Sequence, residues 1–376
     1  MRVGLVCLVD VDYGLDLTNT LHEMGINVNL YLSHGRTSKA VDADRPLERL
    51  YELELVPQSC KVCLFRLPRM RHLSSFAIYR KLSQSIHDDR VDVVHILAGP
   101  AEIWLAVLAY FLRDIPVIST MIIPKPNIKE SLSDIVVLAG YKLLAYGSDM
   151  IIVNGANQVD LVGKLYGVPT NRIAYVPLGP RITAAKWSAC KKSEEPGTIL
   201  FFGAARPHKG LEFLIRAQPE ITRQVPHARI VIASYGEDLE RCKQMIQDSS
   251  KFEIHEGFVA GDMAAAFFER ASLVALPYLS ASTSGILMTA YVFGKPVVAT
   301  RVGSLPEYVN EGITGFLVPP SDSVQLGNAV TRLLLDDSLR YQMGQNAIHW
   351  VNGKQEQIGT ETLGAYEKAI CIHKKT

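Results

Sequence analysis

The sequence predicts an α/β protein of two Rossmann-like domains, each built on a parallel sheet, with the sheets facing across a cleft. Three observations predict it. Short β-branched runs alternate with helical patterns from the first residue onward, as in doubly wound folds. That alternation lapses over residues 182–197 and then starts afresh. At 376 residues the chain is too long for one ordinary core, yet it fits two domains of about 150–200 residues. Hydrophobic residues make up 48 % and charged residues 20 %, enough apolar material for buried sheets and too much for extensive disorder.

The elements follow in order. "MRVGLVCLVD" reads as the first strand and "GLDLTNTLHEMG" as its helix; "NVNLYLS" is the next strand. "VDVVHIL", the helical "AEIWLAVLAYFLRD", "IPVISTMII", "MIIVNG", "NQVDLVGKLYG" and "IAYVPLG" carry the pattern to about Gly179. The most apolar stretch, 96–112, is interrupted by Gly99, Pro100 and Glu102 and is too short to span a membrane, so it reads as a buried helix. "ITAAKWSACKKSEEPG" is small and polar, with charges at Lys191, Lys192, Glu194 and Glu195, and reads as a linker. "TILFFG", "ARIVIASYG", "FEIHEGF", "ASLVALPY" and "KPVVAT" then form a second series, separated by helices such as "LEFLIRAQPEITRQ" and "MAAAFFERA". The predicted division is 1–182, a linker at 183–197, 198–355, and a last helix within 356–376 that crosses back to the first domain. Ligands of open α/β sheets bind beyond the carboxyl ends of the strands, which places the expected active site between the halves.

Composition excludes some functions. With 39 Lys+Arg against 38 Asp+Glu, no global field draws the chain onto nucleic acid. The start reaches Asp10 before a long apolar run develops, unlike a secretory leader, so the expected location is cytoplasmic. Six cysteines are scattered apart from "CKVC" at 60–63; that pair is a redox or metal half-site without a second half, or two ordinary thiols. No His/Asp/Glu cluster has metal-ligand spacing, and no metal or cofactor is assigned.

Four features of the second half point to a phosphate or sugar-nucleotide ligand. In "FFGAARPHKGLEFLIRA" a strand ends at Gly203, and a loop carries Arg206, His208 and Lys209 to a helix. Two cations there suit a diphosphate, or are solvated loop charges. In "SASTSGILMTAYVFGKPVVAT" one of Ser282, Thr283 and Ser284 caps a helix whose free N–H groups suit an anion, with Gly285 allowing close approach; an ordinary capped helix has the same form. "IASYGEDLE" places Tyr235 and Gly236 at a strand end, near a base or in a plain turn. "TRVGSLPEYVNEGITGFLVPPSD" is a shaped loop system with Glu307 as its nearest carboxylate, a ligand contact or a helix-start acid.

The ordered set "GxxRPxKG", "SG", "AYxFGKPVVAT" and "VGSLPExVxEGxTGxLVPPxD" resembles the second domain of retaining glycosyltransferases of the two-domain GT-B fold, family four in particular. "VDVVHI", "SDMIIVNG" and "YGVPTNRIAYVPLG" match first-domain landmarks. The resemblance implies retaining transfer of a sugar from a nucleoside-diphosphate sugar, without an essential metal, as in polysaccharide biosynthesis. By position, Lys209 and Arg206 would hold the donor diphosphate with the amides of Ser284, Gly285 and Ile286. The family more often has Arg directly after the strand-end glycine, where this chain has Ala204. It often carries two glutamates at the positions of Ala281 and Thr289, and a His at that of Ile122. Either donor binding has moved to hydroxyls, with Thr289 on the ribose and Ser282 or Thr283 on the sugar, or the site has decayed and the chain is a binding subunit. An epimerase-like enzyme on the same fold would need a carboxylate or His in the cleft, and the losses at 122, 281 and 289 count against it.

Residues 55–87 hold no Asp or Glu, while Lys61, Arg66, Arg69, Arg71, Arg80 and Lys81 interleave with Val62, Leu64, Phe65, Leu67 and Met70. The segment reads as an acceptor or peripheral contact with the inner membrane face, or as a solvated basic loop and helix. His95, at the end of "VDVVHI", is expected to face the cleft on the acceptor side or to be a bonded core histidine.

Overall fold

A computed structural model describes residues 1–67, 74–99, 103–124, 132–188, 191–259 and 261–375, without the side chains of 132–134. The first unit comprises Met1–Gly179 and Lys354–Thr376, the second Pro180–Gly353.

The first unit runs β1 (Arg2–Cys7), α1 (Val11–Glu23), β2 (Asn27–Ser33), α2 (His34–Ala40), α3 (Pro46–Glu52), β3 (Lys61–Phe65), α4 (Ser74–Asp88), β4 (Val93–Ala98), α5 (Ile103–Phe111), β5 (Val117–Met121), α6 (Leu132–Tyr146), β6 (Met150–Val153), α7 (Gln158–Tyr166) and β7 (Ile173–Tyr175). Its strands form one parallel sheet in the order β3-β2-β1-β4-β5-β6-β7, with Arg2 opposite Asn27 and Val3 opposite Val93. The near-continuous apolar runs of β1 and β4 are buried on both faces, as parallel strands under two helical layers must be. The chain winds outward from β1 in one direction and, after crossing from β3 to β4, in the other. Right-handed crossovers therefore stack α4 to α7 on one face, where Tyr79, Leu108, Leu144 and Val162 share a core.

The second unit runs α8 (Ile182–Ala185), β8 (Thr198–Ala204), α9 (Leu211–Gln224), β9 (Arg229–Tyr235), α10 (Leu239–Lys243), β10 (Phe252–Glu256), α11 (Gly261–Arg270), β11 (Leu273–Leu276), α12 (Gly285–Val292), β12 (Val297–Thr300), α13 (Leu305–Tyr308), β13 (Gly315–Val318) and α14 (Ser323–Leu335). Its sheet order is β10-β9-β8-β11-β12-β13, again parallel, and the winding direction reverses between β8 and β11. The last helix, α15 (Asp337–His373), is continuous over 37 residues; residues up to Gly353 count with the second unit and those from Lys354 with the first.

Two sequence expectations change here. The described residues of 183–197, read as a linker, belong to the second unit and bond within it. Trp187 is buried, Ser188 donates to Glu269 at 2.6 Å, and Glu195 and Glu253 both engage Arg270. Their polar composition reflects charge partners supplied from afar in sequence. The strand β3 lies inside the segment read as a basic loop and helix. Cys63, Phe65 and Leu67 pack against the core, and Lys61 is tied to Asp89. Burial pushes the Cys60 thiol up to about 12 and raises that of Cys63.

Candidate active site

The site is built where the second sheet reverses its winding. Loops leaving adjacent parallel strands diverge at such a point, and the crevice they leave is where α/β sheets take ligands. The loop after β8 carries Lys209 and the loop after β11 carries Tyr278. The Lys209 Nζ lies 3.7 Å from the centre of the Tyr278 ring, close enough for the ring face to hold the ammonium in place. Tyr278 is buried, and its hydroxyl is 3.3 Å from Ser284 Oγ. Ser284 is the N-cap of α12 and accepts from the Leu287 N–H at 3.3 Å, so among the described residues the first-turn N–H groups left to meet a ligand are those of Gly285 and Ile286. Ile286 reaches back to the end of β8, 3.7 Å from where a Gly203 side chain would begin. Lys209, Tyr278, Ser284, Gly285, Ile286 and Gly203 thus form one run of contacts.

Glycines let these loops close on each other. A Cβ at Gly210 would stand 2.0 Å from the Pro277 carbonyl oxygen, and one at Gly303 1.6 Å from that of Ala281; both residues have positive φ. Gly236 makes the same approach to Ala205. The loops after β9, β8, β11 and β12, neighbours in the sheet, are stitched in turn. The Ser304 N–H adds a bond to the Ser282 carbonyl at 3.3 Å.

Other expected residues take different positions. Arg206 is exposed, in extended backbone ahead of the Pro207–Lys209 turn. His208 is held below the usual imidazole range by burial and by the neighbouring Lys209 and Arg206 cations. Thr289 donates its hydroxyl proton to the Gly285 carbonyl at 3.0 Å, so it can only accept from a ligand. Ser282 and Thr283 are half-buried. Tyr235 is exposed and packs edge-on against the exposed Phe258, 5.8 Å between ring centres. Glu307 is exposed on α13. Arg66 is exposed past β3, while Arg69 and Arg71 lie outside the described residues.

His95 is not an acceptor-side group. It is buried, with Nδ1 2.8 Å from the Tyr366 hydroxyl and Nε2 2.7 Å from Thr120 Oγ1. Both nitrogens are engaged, and burial lowers its pKa to about 3. Lys295 also has a structural position: it is buried and 3.3 Å from Glu194, which also binds Arg340.

Sequence reasoning missed three neighbours of the site. The buried Arg181 guanidinium lies 3.2–3.6 Å from where a Gly285 Cβ would begin; its place in sequence, at the end of the first alternating series, gave no sign of it. Tyr278 and Phe258 were legible only as aromatics just past strands, in "ALPY" and "EGF".

Two family models match the chain: Glycosyltransferase Family 4 over residues 13–180 and Glycosyl transferases group 1 over 196–336. The chain belongs to the GT-B glycosyltransferases. This glycosyltransferase is 24 % identical to a D-inositol 3-phosphate glycosyltransferase of Pseudarthrobacter chlorophenolicus, over 96 % of this chain and 90 % of the relative. It is 30 % identical to the alpha-D-kanosaminyltransferase of Streptomyces kanamyceticus over 40 % of this chain and 39 % of that one. Its fold matches Anabaena HepE in complex with UDP-glucose at a TM-score of 0.70, with 16 % identity, covering 97 % of this chain and all (100 %) of that one. It matches the sucrose-phosphate synthase of Thermosynechococcus elongatus at 0.69, with 18 % identity and 99 % of both chains covered.

Proposed function

We propose that this glycosyltransferase moves a sugar from a nucleoside-diphosphate sugar to a glycan, lipid-linked or polysaccharide-precursor acceptor, with retention at the anomeric carbon. The observation that supports it is the contact run from Lys209 through Tyr278 to the start of α12. As the bond from the anomeric carbon to the phosphate oxygen breaks, its electron pair passes to the leaving diphosphate. A fixed ammonium and the first-turn N–H groups oppose that charge without having to reorganise. The acceptor oxygen bonds the anomeric carbon on the same face, and its proton goes to the leaving phosphate oxygen. In this scheme neither a side-chain nucleophile nor a metal takes part, and turnover is expected to survive a chelator.

Arg206, exposed beside Lys209, extends to the diphosphate when donor is present. Tyr235 and Phe258 offer an apolar edge for the base, beside Gly236. Thr289 accepts from a ribose hydroxyl, and Ser282 or Thr283 meets the sugar. Glu307 stands at the outer side of the same loops. We assign the acceptor to the first unit, where Arg66 is exposed beyond β3.

The replacements Ala281, Thr289 and Ile122 favour a second reading, a decayed site in a partner-binding subunit. Thermal stability against nucleoside diphosphates and nucleotide sugars separates the two. A shift with one base supports a working donor site. A folded protein that responds to none of them supports the decayed one.

A further inference from the structure

The helical layer α4–α6 of the first unit is apolar on its outer side as well as its inner one. Along α6, Tyr141, Leu144 and Ala145 are buried against the core, while Ile135, Val136, Leu143 and Tyr146 face outward. The spacing 135, 136, 143, 146 traces one stripe at helical period, with Ala139 exposed within it. Phe76 on α4 and Tyr110 on α5 extend it across neighbouring helices. These six side chains are 49–63 % exposed. A helix that is apolar all round is ordinarily covered on both sides, and a patch of this kind marks an interaction surface.

We propose that this layer is a lipid-docking surface for membranes with anionic headgroups. Charge and ring placement select that occupant. Arg80, Lys81, Arg113 and Lys142 are exposed around the stripe. Arg113 lies over the Tyr110 ring at 5.2 Å and Lys142 near the Tyr146 ring at 6.0 Å. Each pair sets a cation beside an amphipathic ring, the arrangement suited to the boundary between headgroups and acyl chains. Among the described side chains of α4 to α6 and the residues just past α5, the carboxylates are Asp88 and Asp114, and Asp114 is 3.0 Å from His87. A second copy of the chain fits less well, because a two-fold pairing of this face would set the four cations against themselves.

The surface differs from the one read in the sequence. Phe65 and Leu67, two of the apolar side chains interleaved with the basic residues there, pack on the core, and only Arg80 and Lys81 are common to both. It is independent of the donor site, and its test reads binding alone.

The test is flotation of the full chain with vesicles of phosphatidylcholine, with and without phosphatidylglycerol. The wild type is expected to float with the anionic vesicles and to be released by salt. Ile135→Ser/Leu143→Ser/Tyr146→Ser should lower the bound-to-free ratio about tenfold or more. Arg80→Ser/Lys81→Ser/Arg113→Ser/Lys142→Ser should lower it by a similar factor and remove the salt dependence. All these side chains are exposed, so melting temperatures should stay near that of the wild type, and that is checked first. Absence of wild-type flotation with anionic vesicles, or equal flotation of the apolar triple variant, overturns the proposal. So does a wild-type dimer, seen in sedimentation, that the triple variant abolishes while neither protein floats.

Discussion

At the scale of single residues, Lys209 and His95 show how position decides between chemistry and stability. Lys209 is half-exposed over an aromatic face at a sheet reversal, where its charge is available to a ligand. Lys209→Ala should lower kcat/KM by about 10²-fold or more while leaving the melting temperature nearly unchanged; turnover within about threefold of wild type would remove its diphosphate role. Thr289→Val should act differently, because the hydroxyl proton is already given to Gly285 and only an accepted bond is lost. We expect KM for the donor to rise about five- to tenfold, the equivalent of one hydrogen bond, with kcat little changed. His95 is read by pH instead. Its folded pKa, about 3, lies below the unfolded value of about 6.5. Below 6.5 the unfolded chain takes a proton that the folded chain refuses, so this contribution is full above that pH and declines as pH falls towards 3. The melting temperature should therefore drop across that window, and His95→Gln should flatten this part of the curve even if it lowers the plateau.

Elements show what a local pattern can carry. The alternation of strands and helices was legible because burial on both faces demands apolar strands, and the cap before Gly285 because a hydroxyl must take an orphan N–H. The strand β3 was not, since an edge strand with Lys61 and Arg66 in and beside it lacks the apolar signature of the central ones. Nor was the place of Glu194 and Glu195, which are paired with Arg270, Lys295 and Arg340, far away in sequence. Of the site, Lys209 and the α12 start could be read from the order of motifs. Arg181 and Tyr278 could not, because their roles come from contacts between loops. Those contacts make a prediction about elements. Gly303→Ala would place a Cβ in the Ala281 carbonyl at positive φ, and should cost at least about 2 kcal/mol. By pushing the loops after β11 and β12 apart it should also weaken nucleotide binding, seen as a smaller ligand-induced shift in melting temperature. A variant that melts like wild type would show that the two loops are not locked.

For the whole molecule, α15 is the element that belongs to both units, and its glycines divide by what they touch. Gly344 lies against the Gly294 carbonyl oxygen, which a Cβ would approach to 2.2 Å within the second unit. Gly359 lies against Met24 within the first unit, where a Cβ would come within 2.1 Å of the sulfur. Gly353 and Gly364 have nothing within 4 Å of an added Cβ. Propensity alone favours Ala over Gly in a helix interior by about 1 kcal/mol at every one of these sites, so any difference among them must come from packing. Gly353→Ala and Gly364→Ala should each raise stability by about 0.5–1 kcal/mol. Gly344→Ala should lower it, because a backbone oxygen cannot step aside without moving the turn before β12. Gly359→Ala should fall between, since the Met24 side chain can change rotamer. Denaturant midpoints of the four variants test this order directly. Uniform stabilisation would mean that α15 rests on the two units without being held by either, whereas the predicted split makes glycine contact the means by which one continuous helix is fixed in each.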